Sequence, residues 1–130
     1  MAHSRRTLEA IRDYLSSADC VVEVGIGRRT DLASVLAKSG VSVTGTDIHE
    51  RDVPANVTFV RDDIVDPDLA VYDGADVLFA QNLPPELHRP TLEVARAVDA
   101  PFVFTTLGGD QPAIPVERNT IPGDTLFVAE

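Results

Sequence analysis

Short apolar segments alternate with amphipathic segments along most of the chain, and this alternation constrains the fold most. Strand-like segments occur at residues 20–24, 41–47, 57–63, 75–80, 100–110 and 124–130. Helical spacing of apolar residues occurs at about 4–17, 31–40 and 84–98. Strands that alternate with helices predict an α/β fold with a mainly parallel sheet and helices on both faces.

The element boundaries and the extent of the domain are also expected from the sequence. At 130 residues the chain is predicted to form a single domain, residues 1–130. Pro90 lacks an amide donor, so the helix over 84–98 is expected to be broken or kinked there. Residues 108–124 are expected to form one loop over a ligand pocket.

The charge of the chain is strongly acidic, with a formal net charge of -10 and Lys38 as its only lysine. Such a charge disfavours contact with nucleic-acid phosphates and with anionic membranes. An acidic, lysine-poor chain is similar to proteins from salt-loving archaea, where salt screens the repulsion. The charged N-terminal segment lacks the apolar region of a signal peptide, and no apolar run is long enough to cross a membrane. A cytoplasmic location is therefore predicted.

Polar residues and glycines follow the predicted parallel strands, where ligands bind in open α/β sheets. They are Glu23, Gly25 and Gly27 at the first strand, Asp47 at the second, Asp62 and Asp63 at the third, and 81–86 (QNLPPE) at the fourth. Glycines permit a tight turn and close approach of a ligand to the backbone. Asp47 lies 20 residues beyond Gly27, the spacing of an acid that binds a ribose diol. Asp47 is expected to lie at the pocket mouth and to pack little.

Two cofactors suit a glycine turn followed by such an acid. A nicotinamide dinucleotide would place its pyrophosphate against the turn, where Glu23 would repel it. The third glycine of the dinucleotide motif is also absent, because Thr30 occupies that position. S-adenosylmethionine carries a sulfonium and an ammonium and no phosphate, so a carboxylate at Glu23 favours it. No metal-ligand spacing is found around the histidines, and no metal site is predicted.

The motifs EVGIG, TGTD and FVRDDI resemble those of the class I, Rossmann-like S-adenosylmethionine-dependent methyltransferases. More narrowly, nearly the whole chain resembles UPF0146, a small archaeal family of stand-alone Rossmann-like domains. The resemblance implies a doubly wound Rossmann-like fold and S-adenosyl-L-methionine as cofactor. It also implies site residues: Glu23, Gly25 and Gly27 at the methionine part, Asp47 at the ribose and Asp63 near the adenine amino group.

The segment NLPPE, residues 82–86, resembles the Asn/Asp-Pro-Pro-aromatic loop of amino-methyltransferases. Asn82, Pro84 and Pro85 would then face the methyl acceptor. The match is imperfect, because Leu83 is inserted and Glu86 replaces the aromatic residue that would stack on a nucleobase.

The sequence leaves several functions open. A non-catalytic Rossmann-like regulatory or interaction subunit and a nicotinamide-dinucleotide-binding protein remain alternatives to a methyltransferase-like protein. No catalytic side chain is predicted, and the methyl acceptor is not identified. The residues after the fifth predicted strand offer only a small recognition surface, so a protein partner, a homodimer or a small substrate is expected to supply the rest.

The net charge gives the first testable prediction. The thermal midpoint of unfolding should rise from low salt to molar KCl, because salt screens the repulsion among uncompensated acids. The measurement is a series of thermal melts at increasing KCl. A midpoint that stays constant or falls would contradict the halophilic interpretation.

Overall fold

The computed structural model describes residues 4–130, which form one seven-stranded sheet with helices on both faces. The strands are β1 (Cys20–Val24), β2 (Ser42–Asp47), β3 (Thr58–Arg61), β4 (Val77–Ala80), β5 (Phe102–Phe104), β6 (Glu117–Ile121) and β7 (Asp124–Ala129). The α-helices are α1 (Arg5–Leu15), α2 (Asp31–Lys38) and α3 (His88–Ala97), and single 3-10 turns span Leu69–Val71 and Pro85–Leu87.

The sheet has the strand order β3-β2-β1-β4-β5-β7-β6. Strands β1 to β5 pair in parallel, whereas β7 is antiparallel to both β5 and β6. The order reverses between β1 and β4, which opens a crevice at the carboxyl ends of these strands. The predicted α/β fold with a mainly parallel sheet is confirmed.

Two apolar clusters fill the two faces of the sheet. Ile11, Leu32 and Leu36 of α1 and α2 pack on one face with side chains such as Phe79. Leu92 of α3 packs on the other face against an aromatic group that includes Phe102 and Phe104. Strand side chains alternate between the two clusters, since successive residues of a strand point to opposite faces.

The expected break at Pro90 is wrong. The chain forms a 3-10 turn over Pro85–Leu87 and continues directly into α3, so the change of helix type falls at His88. Pro90 lies in the first turn of α3. An amide there has no partner within the helix, so proline costs no hydrogen bond.

The expectation of one loop over residues 108–124 is also wrong, because Glu117–Ile121 forms strand β6. It pairs with β7 through a hairpin that turns at Pro122 and Gly123. The first four residues of β6 are exposed, and their polar sequence lacks the apolar alternation of a half-buried strand. Edge strands are commonly polar, which explains why the pattern was not informative.

The glycine turn after β1 folds back over β2. The amide of Ile26 donates to the carbonyl oxygen of Thr46 at 2.9 Å, and the Ile26 side chain is buried. A Cβ atom on Gly45 of β2 would lie 2.5 Å from Ile26 Cδ1 and 3.2 Å from Ile26 Cβ. Glycine at position 45 therefore provides the space in which Ile26 packs and holds the turn.

Gly45→Ala should destabilise the fold by about 1–3 kcal/mol, because the added methyl group displaces Ile26 from a close-packed position. Chemical denaturation measures the free energy of unfolding. Gly109→Ala is the matched control, since a Cβ atom there meets nothing within 4 Å. Equal effects of the two substitutions would contradict the packing role of Gly45.

Candidate functional site

The carboxyl ends of β1, β2 and β4 bring together most of the polar residues that the sequence singled out. Glu23 lies in β1 opposite Gly45 of β2 and Phe79 of β4. The glycine turn follows β1, Asp47 ends β2, and Gln81 directly follows β4. The site is therefore the crevice between β1 and β4 together with the adjoining end of β2.

Glu23 is a buried carboxyl group with one unpaired oxygen. Its side chain is 2% exposed, and Oε2 accepts a hydrogen bond from Gln81 Nε2 at 2.9 Å. Within residues 4–130, Oε1 has no hydrogen-bond partner. Burial raises the pKa of Glu23 from 4.5 to about 7, although the Gln81 hydrogen bond and the charge of Arg29 act in the opposite direction. An unpaired buried carboxylate oxygen is costly and suits a cationic ligand group.

The two glycines of the turn adopt left-handed backbone conformations, with φ of 66° at Gly25 and 60° at Gly27. Residues other than glycine rarely adopt this backbone conformation. A Cβ atom on Gly25 would meet nothing within 4 Å, so the space above this residue is open to a ligand.

Asp47 is buried rather than loosely packed at the pocket mouth, so that expectation is wrong. It is 8% exposed; Oδ2 accepts from the Gly27 amide at 2.9 Å and Oδ1 from the His49 amide at 3.0 Å. Arg51 Nε lies 3.4 Å from Oδ2. The carboxylate thus fixes the glycine turn to the end of β2. Asp47→Ala would therefore also affect the ligand-free fold, since the amides of Gly27 and His49 would lose their acceptor.

The two acids after β3 have different surroundings. Asp62 accepts the Tyr72 hydroxyl at 2.6 Å and the Asp68 amide at 3.0 Å, which ties the loop to the core. Burial and the Asp62 hydrogen bond raise the pKa of Tyr72, so its hydroxyl stays protonated and donates. Asp63 is exposed, and one of its oxygens accepts from the Val65 amide at 2.9 Å. Asp63 is the more exposed of the two acids, and its adenine role stays a prediction.

The loop 82–85 follows β4 at the crevice. Asn82 has a φ of 52°, and its amide donates to Thr105 Oγ1 at 2.9 Å. Pro84 is exposed and Pro85 half-buried, whereas the inserted Leu83 is buried. The insertion therefore packs into the core and leaves Asn82 and Pro84 at the rim. Their contact with a methyl acceptor stays a prediction.

Two open clefts lie at opposite ends of the strands. One, of about 520 Å³, lies at the amino ends of the strands and includes Asp19, Asp76 and Pro101 in its lining. The other, of about 370 Å³, lies next to Asp47 and is lined by Gly27, Arg28, Glu50, Arg51 and Asp52. The larger volume favours the first cleft as a ligand site. Ligands of open α/β sheets bind at the carboxyl ends of the strands, however, and this position favours the second cleft.

Two residues that the sequence interpretation did not assign contribute to the carboxyl-end side of the sheet. Gln81 is the hydrogen-bond partner of Glu23, and its position directly after β4 was the available signal. His88 is fully buried and bonds to two loop backbones on this side. Nothing in the sequence distinguished it from a surface histidine, because its partners lie at residues 83 and 113.

The sequence matches a known family over nearly its full length. Residues 8–130 match the model of the uncharacterised protein family UPF0146. The chain belongs to this family.

Other UPF0146 proteins are found in archaea. The UPF0146 protein of Halobacterium salinarum is 51% identical over 116 residues, which cover 88% of this chain and 90% of the relative. That of Archaeoglobus fulgidus is 41% identical over 102 residues, 77% of this chain and 78% of the relative. None of the helices in residues 4–130 has the length and apolar character to span a membrane.

Several solved structures with the same architecture are methyltransferases. A TehB-like enzyme from Corynebacterium glutamicum superposes with a TM-score of 0.66 at 14% identity, covering 98% of this chain and 88% of that one. An RNA methyltransferase from Salinibacter ruber, in complex with S-adenosyl-L-homocysteine, gives 0.65 at 14% identity, covering 98% and 92%. At these identities the likeness concerns the fold, and the Rossmann-like fold class is confirmed.

Glu23→Gln should stabilise the ligand-free protein above neutral pH. Folding raises the pKa of Glu23 from 4.5 to about 7, so the folded state favours the protonated side chain. The stability that comes from this protonated form is complete below about pH 4.5 and is lost as pH rises through 7. At pH 8 the ionised group costs up to about 3 kcal/mol, which glutamine avoids. Thermal melts at pH 5 and pH 8 measure the difference.

Glu93→Gln on α3 is the control, since it makes the same chemical change at an exposed position. Stabilisation by Glu23→Gln that is equal at pH 5 and pH 8 would contradict the burial of an ionisable group at residue 23.

Proposed function

We propose that this UPF0146 protein binds S-adenosyl-L-methionine at the crevice and is a methyltransferase-like protein, on one domain spanning residues 1–130. The observation that carries the proposal is the unpaired Oε1 atom of the buried Glu23 beside an open glycine turn. The methyltransferase fold of the neighbouring structures supports the same ligand class.

The charge of Glu23 matches the amino-acid end of this cofactor. The cofactor ammonium would donate to Oε1, while Gln81 keeps Oε2. In the ligand-free fold, ionisation of the buried Glu23 is costly. A cation bound in the crevice lowers this cost, because an opposite charge stabilises the carboxylate. A pyrophosphate at the same turn would instead meet a negative charge, which disfavours a nicotinamide dinucleotide.

Asp47 and Asp63 are proposed to bind the nucleoside end of the cofactor. A carboxylate has about four acceptor positions. The amides of Gly27 and His49 use one on each oxygen of Asp47. The ribose hydroxyls would take remaining positions, and the nearby Arg51 would shift to admit them. Asp63 would accept from the adenine amino group with the oxygen that Val65 does not use.

Methyl transfer by direct displacement depends on positioning and exclusion of water more than on an acid or base. The rim formed by Asn82, Pro84 and Pro85 is proposed to position the acceptor. Residues 62–87 and 97–117 contain no lysine or arginine. The loops that follow β3, β4 and β5 therefore lack phosphate-binding cations, which supports a neutral or cationic acceptor rather than a polyanion.

S-adenosylmethionine should raise the thermal midpoint at pH 8 by several degrees, since ligand at 100 times Kd stabilises by about 2.7 kcal/mol. Its affinity should rise about tenfold per pH unit below pH 7 and level off above, because the bound ammonium requires the ionised form of Glu23. Calorimetric titration between pH 5.5 and 8.5 in molar KCl measures this dependence.

Glu23→Gln should weaken binding at pH 8 by about 10- to 100-fold and remove the rise with pH, while Glu93→Gln should bind like the wild type. A midpoint that responds to NAD and not to S-adenosylmethionine would overturn the proposal. Binding of S-adenosylmethionine without any methylated product would instead favour the non-catalytic subunit.

A further inference from the structure

His88 connects two separate segments at the acceptor side of the crevice. It is fully buried, at 0% exposure, at the start of α3. Its Nε2 atom lies 2.9 Å from the Leu83 carbonyl oxygen, and its Nδ1 atom lies 3.0 Å from the Ala113 amide nitrogen. The ring packs on Phe104 with centroids 4.5 Å apart. The segment before β6 is thereby joined to the loop after β4.

The two hydrogen bonds fix the tautomer of the ring. A backbone amide can only donate, so Nδ1 must be the acceptor and carries no proton. Nε2 then carries the proton and donates to the Leu83 carbonyl. Neutral His88 is therefore an oriented donor and acceptor held between two backbones.

The Leu83 carbonyl follows directly after the unusual backbone of Asn82. A φ of 52° is uncommon for a residue other than glycine, and such a conformation persists where surrounding contacts impose it. Three contacts do so here. Thr105 accepts the Asn82 amide on Oγ1 and the Leu83 amide on its carbonyl, and His88 donates to the Leu83 carbonyl.

We propose that His88 is a positioning residue for methyl transfer: through the Leu83 carbonyl it holds Asn82 toward the methyl group of the bound cofactor. The inference rests on the proposed function. His88 itself is buried behind the loop and does not touch the ligand. The proposed cofactor cradle, which is the glycine turn with Glu23 and Asp47, is formed by other residues. The loss of His88 should therefore affect only the methyl side, which is the part of the site where loop 82–85 faces the transferred methyl group.

Two cofactor analogues separate the methyl side from the cradle. S-adenosylhomocysteine has no group at the methyl position, whereas sinefungin carries CH–NH₂ where S-adenosylmethionine carries S–CH₃. The amino group of sinefungin can donate to acceptors on loop 82–85. The ratio of the two affinities therefore reports the position of this loop, while effects on the cradle or on stability cancel.

Two substitutions separate the two hydrogen bonds of the ring. The amide of glutamine reaches the Nε2 position and keeps a donor for Leu83, whereas that of asparagine reaches the Nδ1 position and keeps an acceptor for Ala113. We expect the wild type and His88→Gln to bind sinefungin about tenfold more tightly than S-adenosylhomocysteine. His88→Asn should lose this preference while its S-adenosylhomocysteine affinity stays unchanged.

Equal preference in both variants, or equal losses for both ligands, would overturn the positioning role and leave His88 as a core residue. A wild type that binds neither analogue would refute the proposed function itself. Should His88→Asn fail to fold, the ¹⁵N resonances of the wild-type ring provide the test. The proposal requires a protonated Nε2 whose signal shifts with sinefungin and not with S-adenosylhomocysteine, and an unchanged signal overturns it.

Discussion

The candidate site depends on how the glycine turn after β1 is held over the end of β2. Ile26 packs in the space that Gly45 leaves open, and its amide bonds to the Thr46 carbonyl. One residue later the Gly27 amide bonds to Asp47. These contacts fold the backbone back on itself, so the turn opens toward the crevice between β1 and β4. Asp47 accordingly has a structural role before any ligand binds.

The same crevice contains a buried carboxyl group that is only partly hydrogen-bonded. Glu23 is buried with one oxygen unpaired, and burial raises its pKa to about 7. A buried carboxyl group of this kind lowers stability near neutral pH, and a hydrophobic residue would fill the strand position better. A buried ionisable group with a raised pKa at the reversal of strand order marks a candidate ligand site.

The sequence interpretation succeeded where local periodicity coincides with burial. Strands β1 and β4 are buried or nearly so along their length, and their apolar residues stand out from their neighbours. It failed at β6, because the exposed residues of an edge strand lack an apolar pattern and only pairing with β7 makes them a strand. It failed at Pro90 because the start of α3 depends on a 3-10 turn that sequence spacing does not reveal.

The sequence by itself determined the α/β class and the placement of Glu23, Gly25, Gly27 and Asp47 at strand ends, since these follow from periodicity and spacing along the chain. The family followed from the resemblance of its motifs to those of known proteins. Only the tertiary structure decided what each residue touches. The partners of Glu23 and His88 lie 58 residues away at Gln81 and 25 residues away at Ala113. Such contacts arise when strands distant in sequence become neighbours in the sheet, and no local pattern encodes them.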